Sequence, residues 1–353
     1  MKKIHIITTI VIISFINYGQ ATGLNFWETS SINTALASSN GSVAQDASVL
    51  ALNPSAINGL KEHQLLINLQ YYNVTTKYNL FNKYTKYTVG DIIPSAFFIF
   101  PINEKYNQAF SIYSRTAADI NIPQIFYGIL FPKTHVQPIV LSQKYSLSRK
   151  YNDNLSFAWS IERLVGHYLL EQKDKNISDT VQGFSGDLSV SFKLKNMHFG
   201  VVNQFSSHFS DKNIEFKLPN IVKTFIAYSM SDFNFFFNYS FSNWKGRGVF
   251  FDEYKDPIGL LKPSRDSHRY ALALQYLFSQ KLHYLAGVSI DSVTDNFGGH
   301  DVRYRLGSEY HYSKKFSYSL SFMYENYVEK YLDPIVSVKN TGWNISVGIQ
   351  WRR

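Results

Sequence analysis

The sequence predicts an all-β chain: a transmembrane antiparallel β-barrel of about fourteen strands with an N-terminal hatch, or plug, inside its lumen. Three observations carry that expectation. Apolar residues alternate with polar ones at a period of two almost everywhere after residue 62, as strands with one greasy and one wet face require. Aromatic residues make up 16% of the chain, with 25 Tyr and 28 Phe, while charged residues reach only 17%. Lipid-facing and lumen-facing positions average to such a composition in a membrane barrel. The connections between apolar rows also alternate short and long, as expected when both termini lie on the periplasmic side.

Residues 1–21 read as a signal peptide: Lys2 and Lys3, the apolar run Ile4 to Ile16, then Gly19-Gln20-Ala21 as a small-x-small cleavage site. That run is too short for a membrane helix. The chain has no cysteine, so neither a disulfide framework nor a thiolate metal site is available. Its net charge of +9 falls to +7 without Lys2 and Lys3, an excess suited to anionic head groups. The charges are scattered and form no basic run, which argues against nucleic acid.

Residues 22–60 are the expected hatch. From Gly23 to Ile57 the chain reads GLNFWETSSINTALASSNGSVAQDASVLALNPSAI, too polar and too rich in small residues for a membrane span or a core helix. Asn53-Pro54 is a turn-initiating pair. Phe26 and Trp27 can stack on an acyl chain or aromatic ring, as pocket linings do, or can equally anchor the plug to the wall.

Residues 61–353 are the expected barrel. Phe157, Trp159 and Ile161 alternate with Ala158, Ser160 and Glu162, and the last strand, Trp343-Ile345-Val347-Ile349-Trp351, repeats the pattern. The expected strands are 62–77, 90–103, 106–115, 136–151, 154–168, 183–195, 197–208, 215–231, 233–246, 265–279, 281–293, 299–313, 316–331 and 339–352. Pro94 and Pro101 interrupt the second, where a lost ladder donor predicts a kink or bulge. Longer connections fall near 78–89, 116–135, 169–182, 209–214, 247–264, 294–298 and 332–338. A soluble sandwich shares the period but not this rhythm, nor Tyr, Phe and Trp at the row ends. Arg352 and Arg353 follow Trp351, a departure from the aromatic residue that commonly ends such barrels.

The loop from Ala117 to Gln137 is apolar for an outward-facing segment. Ile122, Ile125, Phe126, Tyr127, Leu130 and Phe131 make it a candidate landing groove, with Gly259-Leu260-Leu261 after Phe250-Phe251 as a second wall. Strand parity turns Arg269, Asp291, Asp301, Arg303, Arg305, Glu309 and His311 toward the lumen. Arg269, Arg303 or Arg305 could fork a ligand carboxylate. The same charges could instead pair across strands as a structural ladder, the usual fate of charge inside membrane proteins. Enzymatic motifs such as G-x-S-x-G, H-E-x-x-H and phosphate loops are absent. Serines near several histidines are a weak hint of a lipid hydrolase. The ten histidines are dispersed without ligand spacing, so no metal or cofactor is expected.

Gly23-Leu24-Asn25-Phe26 with Glu28 behind it, Ala35, Gly41, Asp46-Ala47-Ser48 and Asn53-Pro54-Ser55 resemble the N-terminus of the long-chain fatty acid transporter family of Gram-negative outer membranes. This FadL-type family includes aromatic-hydrocarbon channels. Leu218-Pro219, Trp244 and Tyr304-Arg305-Leu306-Gly307-Ser308-Glu309-Tyr310 are similar to its later strands, more diffusely. The resemblance implies a fourteen-stranded barrel, an N-terminal hatch, capture of hydrophobic ligands at outer loops, and release through a gap in the wall. Short outer loops are the expected departure. The chain thus reads as a passive outer-membrane transporter of hydrophobic small molecules, long-chain fatty acids first, multi-pass and monomeric. Expected partners are a fatty acid or aromatic ligand, outer-membrane lipid and lipopolysaccharide, and the barrel assembly machinery. The alternatives are a structural or adhesive barrel with a static plug, or a lipid hydrolase.

Overall fold

The computed structural model describes residues 25–80, 83–122, 133–172, 175–251, 261–295, 297–327, 329–333 and 336–353. The signal-peptide reading lies outside them. Among the described residues, fourteen antiparallel strands close a barrel. They are β1 (Gln64–Leu80), β2 (Lys83–Pro101), β3 (Tyr106–Ala117), β4 (Thr134–Lys150), β5 (Leu155–Gln172), β6 (Lys175–Leu194) and β7 (Met197–Gln204). Then follow β8 (Ile221–Met230), β9 (Phe233–Ser242), β10 (Ser267–Leu277), β11 (Leu282–Ser292), β12 (His300–His311), β13 (Phe316–Asn326) and β14 (Val336–Arg352). Closure runs from Gln64↔Arg352 to Leu80↔Val336, so the Arg352 tail continues the ladder past Trp351.

The period of two explains the wall. Phe157, Trp159 and Ile161 are exposed on the outside, while Ala158, Ser160 and Glu162 on the same strand are buried inside. Lipid would cover the first row, and lumen partners satisfy the second.

Two expected loops are strand instead. Residues 78–80 with 83–89, and 169–172 with 175–182, continue their ladders to Leu80↔Lys83 and Gln172↔Lys175. Tyr78, Tyr84 and Tyr87 among threonines keep the strand pattern there, although lysine and asparagine make the stretch look loop-like. The strands β1, β2, β4, β5, β6 and β14 therefore reach 17–20 residues, against 8–12 for the others. One flank of the barrel stands tall, in place of the short outer loops the sequence suggests.

The expected strand 215–231 is two strands. Pro219-Asn220 ends Ile214–Leu218 before β8 begins, because proline withholds a ladder donor. Ile214–Leu218 pairs with Ser207–Ser210 and Gly248–Phe251 in a separate three-stranded sheet. This sheet packs on the inner face of the tall flank through Phe209, Phe216, Trp244, Val249, Phe251 and Leu261 against Val136, Leu164 and Tyr168. Phe209 and Phe216 stack at 5.1 Å. Gly183 opposite them is obligatory small, since a Cβ would lie 2.4 Å from the Phe209 ring. Phe251 and Leu261 are thus packing residues of this cap.

Residues 25–60 lie within the ring of strands and are almost wholly buried. They form α1 (Ser31–Ala35), α2 (Val49–Leu52) and a 3₁₀ turn over Pro54–Gly59. Helices this short have little stability alone; the wall supplies it. Ser31 N donates to Asn68 Oδ1 at 2.9 Å, and its hydroxyl touches that of Ser319. Gly287 and Gly307 let Ala35 approach, for a Cβ at either would fall within 2.7 Å of it.

Candidate functional site

The wall has a seam. Pairing of β2 with β3 stops at Ala96↔Ile112, although β2 stays paired with β1 throughout and β3 stays paired with β4. Pro94 stands just past the last pair, at the edge where the ladder ends. Past Ser114 the β3 strand bulges, which turns Arg115 inward to meet Glu162 at 2.6 Å. A bulge re-aims one side chain in this way. The start of the lumen segment covers the free edge of β3: Asn25 bridges Thr116, and Phe26 N donates to Arg115 O at 3.0 Å.

Behind the seam lies a cavity of about 430 Å³, within the roughly 300–1,000 Å³ typical of small-molecule sites. Val74, Val89, Ile92, Ile93, Pro94, Ile120, Ile139 and Leu141 line it, with Phe26 from the lumen segment. Phe26 meets Tyr72 edge-on at 6.1 Å. The polar end holds Glu28, Tyr72, Arg303, Glu325 and Tyr327.

Those polar groups belong to one buried network. Arg303 pairs with Glu325 at 2.5 Å and with Asp291 at 3.3 Å. Asp291 also holds Arg269 at 2.9 Å. Tyr72 and Tyr327 both donate to Glu325. Arg305 binds Glu28 at 2.6 Å, and Arg269 donates to Ala37 O at 3.1 Å. Burial alone would raise the Glu28 carboxyl, but Arg303, Arg305 and Arg269 hold it at about 2. Elsewhere in the segment, burial, reinforced by the charge of Glu309, pushes Asp46 up to about 6 against the lowering bonds from Ser48.

The arginines therefore sit in an ion-pair ladder that ties wall to lumen segment. Arg303 faces the cavity, while Arg269 and Arg305 lie behind it. Trp27 lies away from the cavity, under Arg269 at 4.9 Å and Lys223 at 5.5 Å. Asn53 and Pro54 are not at the cavity either. Asn53 Oδ1 accepts from Ser55 N at 3.1 Å, and its Nδ2 donates to Gly41 O and Ser191 Oγ; Pro54 opens the 3₁₀ turn. Of the candidate outer groove, the Ile122 backbone pairs with Thr134. Ile125, Phe126, Tyr127, Leu130 and Phe131 lie outside the described residues, as do Gly259 and Leu260. Sequence reading missed Tyr72, Glu325 and Tyr327. Their parity marked them as inward, but nothing in a linear pattern converges them on Arg303.

A family model for outer membrane protein transport proteins (OMPP1/FadL/TodX) matches residues 12–210, more than half of the chain. The chain belongs to that family. By fold this FadL/TodX chain is similar to a FadL homologue of Pseudomonas aeruginosa, at 12% identity and TM-score 0.79, covering 93% of this chain and 99% of that one. It is also similar to the toluene transporter TodX of P. putida, at 13% identity and TM-score 0.74 over 93% and 99%. A third likeness is to the monoaromatic hydrocarbon channel CymD, at 14% identity and TM-score 0.70 over 92% and 97%. No curated protein matches the sequence. Membership makes the chain an outer-membrane barrel of a transport family, and not an enzyme.

Proposed function

We propose that this FadL/TodX-family barrel passively carries small uncharged hydrophobic molecules, aromatic hydrocarbons ahead of fatty acids, through the cavity behind the β2–β3 seam. One observation supports the ligand class. The cavity walls are mostly apolar, with Asp91 and Asp119 the further acidic residues on them, and its polar end presents the Glu28 and Glu325 carboxylates with Arg303 already committed to Glu325 and Asp291. A fatty-acid carboxylate entering there would meet two like charges. A neutral ring would meet apolar walls, Phe26 and Tyr72.

An apolar solute is stalled by the polar outer leaflet. A passage that hands it sideways into the hydrocarbon bypasses that barrier, and the stretch where β2 and β3 do not pair with each other supplies a side door once Asn25 and Phe26 withdraw. The fatty-acid reading remains the rival. Uptake of labelled toluene and oleate by cells with and without the gene decides between them. Gene-dependent toluene uptake with little oleate uptake is expected; the reverse preference overturns the ligand class, and no gene dependence for either overturns transport.

A further inference from the structure

Far from the seam, strand pairing assembles a group that no spacing in the sequence reveals. His283 on β11 is the register partner of Glu309 on β12. His311, two residues on, faces the same side as Glu309. His283 Nδ1 stands 3.2 Å from Glu309 Oε2, His311 Nε2 stands 3.5 Å from that oxygen, and the two nitrogens are 3.4 Å apart. Bonds of about 2.0–2.1 Å to a tetrahedral zinc ion set ligand atoms about 3.3–3.4 Å apart. The three atoms thus form one face of such a tetrahedron.

We propose that His283 Nδ1, Glu309 Oε2 and His311 Nε2 bind one divalent transition-metal ion, Zn²⁺ above others, at the short-turn rim of the barrel. Two imidazoles and one carboxylate suit a borderline cation, not calcium or magnesium. Glu309 is nearly buried, while His283 and His311 side chains keep 16% and 20% exposure, so an ion can enter and a fourth position is left for water. Beside the tripod, Asp46 of the lumen segment is buried with its Oδ2 unbonded, close enough for its charge to act on Glu309. A cation there would relieve that repulsion.

Arg352 is the competitor. Its Nη1 lies 3.4 Å from His311 Nδ1 and its Nη2 lies 3.7 Å from Glu309 Oε1. A metal on Nε2 needs the proton of His311 on Nδ1, so the guanidinium must give way. Gln350 Oε1 at 2.8 Å and Ser317 Oγ at 3.4 Å already hold its other nitrogen and can keep it. The contrast is His135, whose Asp119 and Glu171 partners sit at 3.0 Å on opposite ring nitrogens and cannot share an ion.

Zinc chloride titrated into the untagged, detergent-folded chain, followed by calorimetry, tests the site, with Co²⁺ absorption reporting coordination. One ion per chain and a four-coordinate cobalt spectrum are expected. His283→Ala and His311→Ala should each weaken binding by at least about tenfold. Arg352→Gln should bind as tightly or more tightly, and His208→Ala on the cap sheet should change nothing. Absence of binding to the wild-type chain overturns the proposal. So does one-to-one binding that survives both His283→Ala and His311→Ala, or a loss caused by Arg352→Gln in a chain that still folds.

Discussion

Glu28 joins the lumen segment to the ladder of arginines. Its carboxylate at about 2, below the ordinary 4.5, means that the folded state prefers it ionised. That preference contributes fully above pH 4.5 and is lost as pH falls toward 2; by linkage it amounts to about 3 kcal/mol. Asp46, at about 6 against an ordinary 3.8, acts in the opposite sense. It costs stability above pH 6, and the cost is gone below 3.8. Protection of residues 25–60 from hydrogen exchange is therefore expected to peak near pH 4 and weaken on both sides. Glu28→Gln should lower that protection at pH 7 by about 3 kcal/mol, because Arg305 is left buried with no carboxylate. An unchanged exchange profile would contradict the role given to Glu28. Glu28 was visible in the sequence as part of an N-terminal motif. Its partner was not, for Arg305 lies 277 residues away and only barrel closure brings the two together.

In the proposed route, the seam between β2 and β3 is the element that decides passage. Pro94 predicted a kink or bulge in the second strand; β2 instead keeps an unbroken register with β1, and it is the β2–β3 ladder that ends two residues from the proline. What the proline could not announce is that Asn25 and Phe26 take over the free edge of β3. The chain contains no cysteine, so single disulfides can be installed cleanly. An Asn25→Cys/Thr116→Cys pair, made at a strand-like bridge, is expected to stop uptake when oxidised and restore it when reduced. A Ser31→Cys/Ser319→Cys pair, deeper in the lumen, should leave uptake intact when oxidised. Wild-type uptake by both oxidised chains would favour a static plug. The long ladders of β1–β2 and β5–β6 show a different limit. Their tips are polar enough to read as loops, because once a strand rises past the membrane its outer face no longer needs to be apolar, even where Leu170 and Val181 still pack inward.

At the scale of the whole molecule, the barrel encloses its own N-terminal residues and caps one end with the sheet of Ser207–Ser210, Ile214–Leu218 and Gly248–Phe251. A lumen so filled should conduct few ions. Planar-bilayer recordings of the intact chain are expected to show little steady conductance, rising when residues 31–57 are deleted from a barrel that still folds. Large steady conductance from the intact chain would instead indicate a general pore.

The sequence by itself determined that this is a fourteen-stranded outer-membrane barrel whose leading segment is too polar and small-residued for lipid. Alternation of side chains along each strand is a local property, written in adjacent residues, and so are turn signals. Tertiary structure alone decided which inward residues meet. Arg303 with Glu325 and His283 with Glu309 are set by the register of neighbouring strands, and Arg305 with Glu28 by barrel closure, which brings together residues 277 apart. For that reason the alternation of the wall was legible residue by residue, while the cavity, its polar end and the histidine tripod became visible only once the strands were paired in register and the cylinder closed.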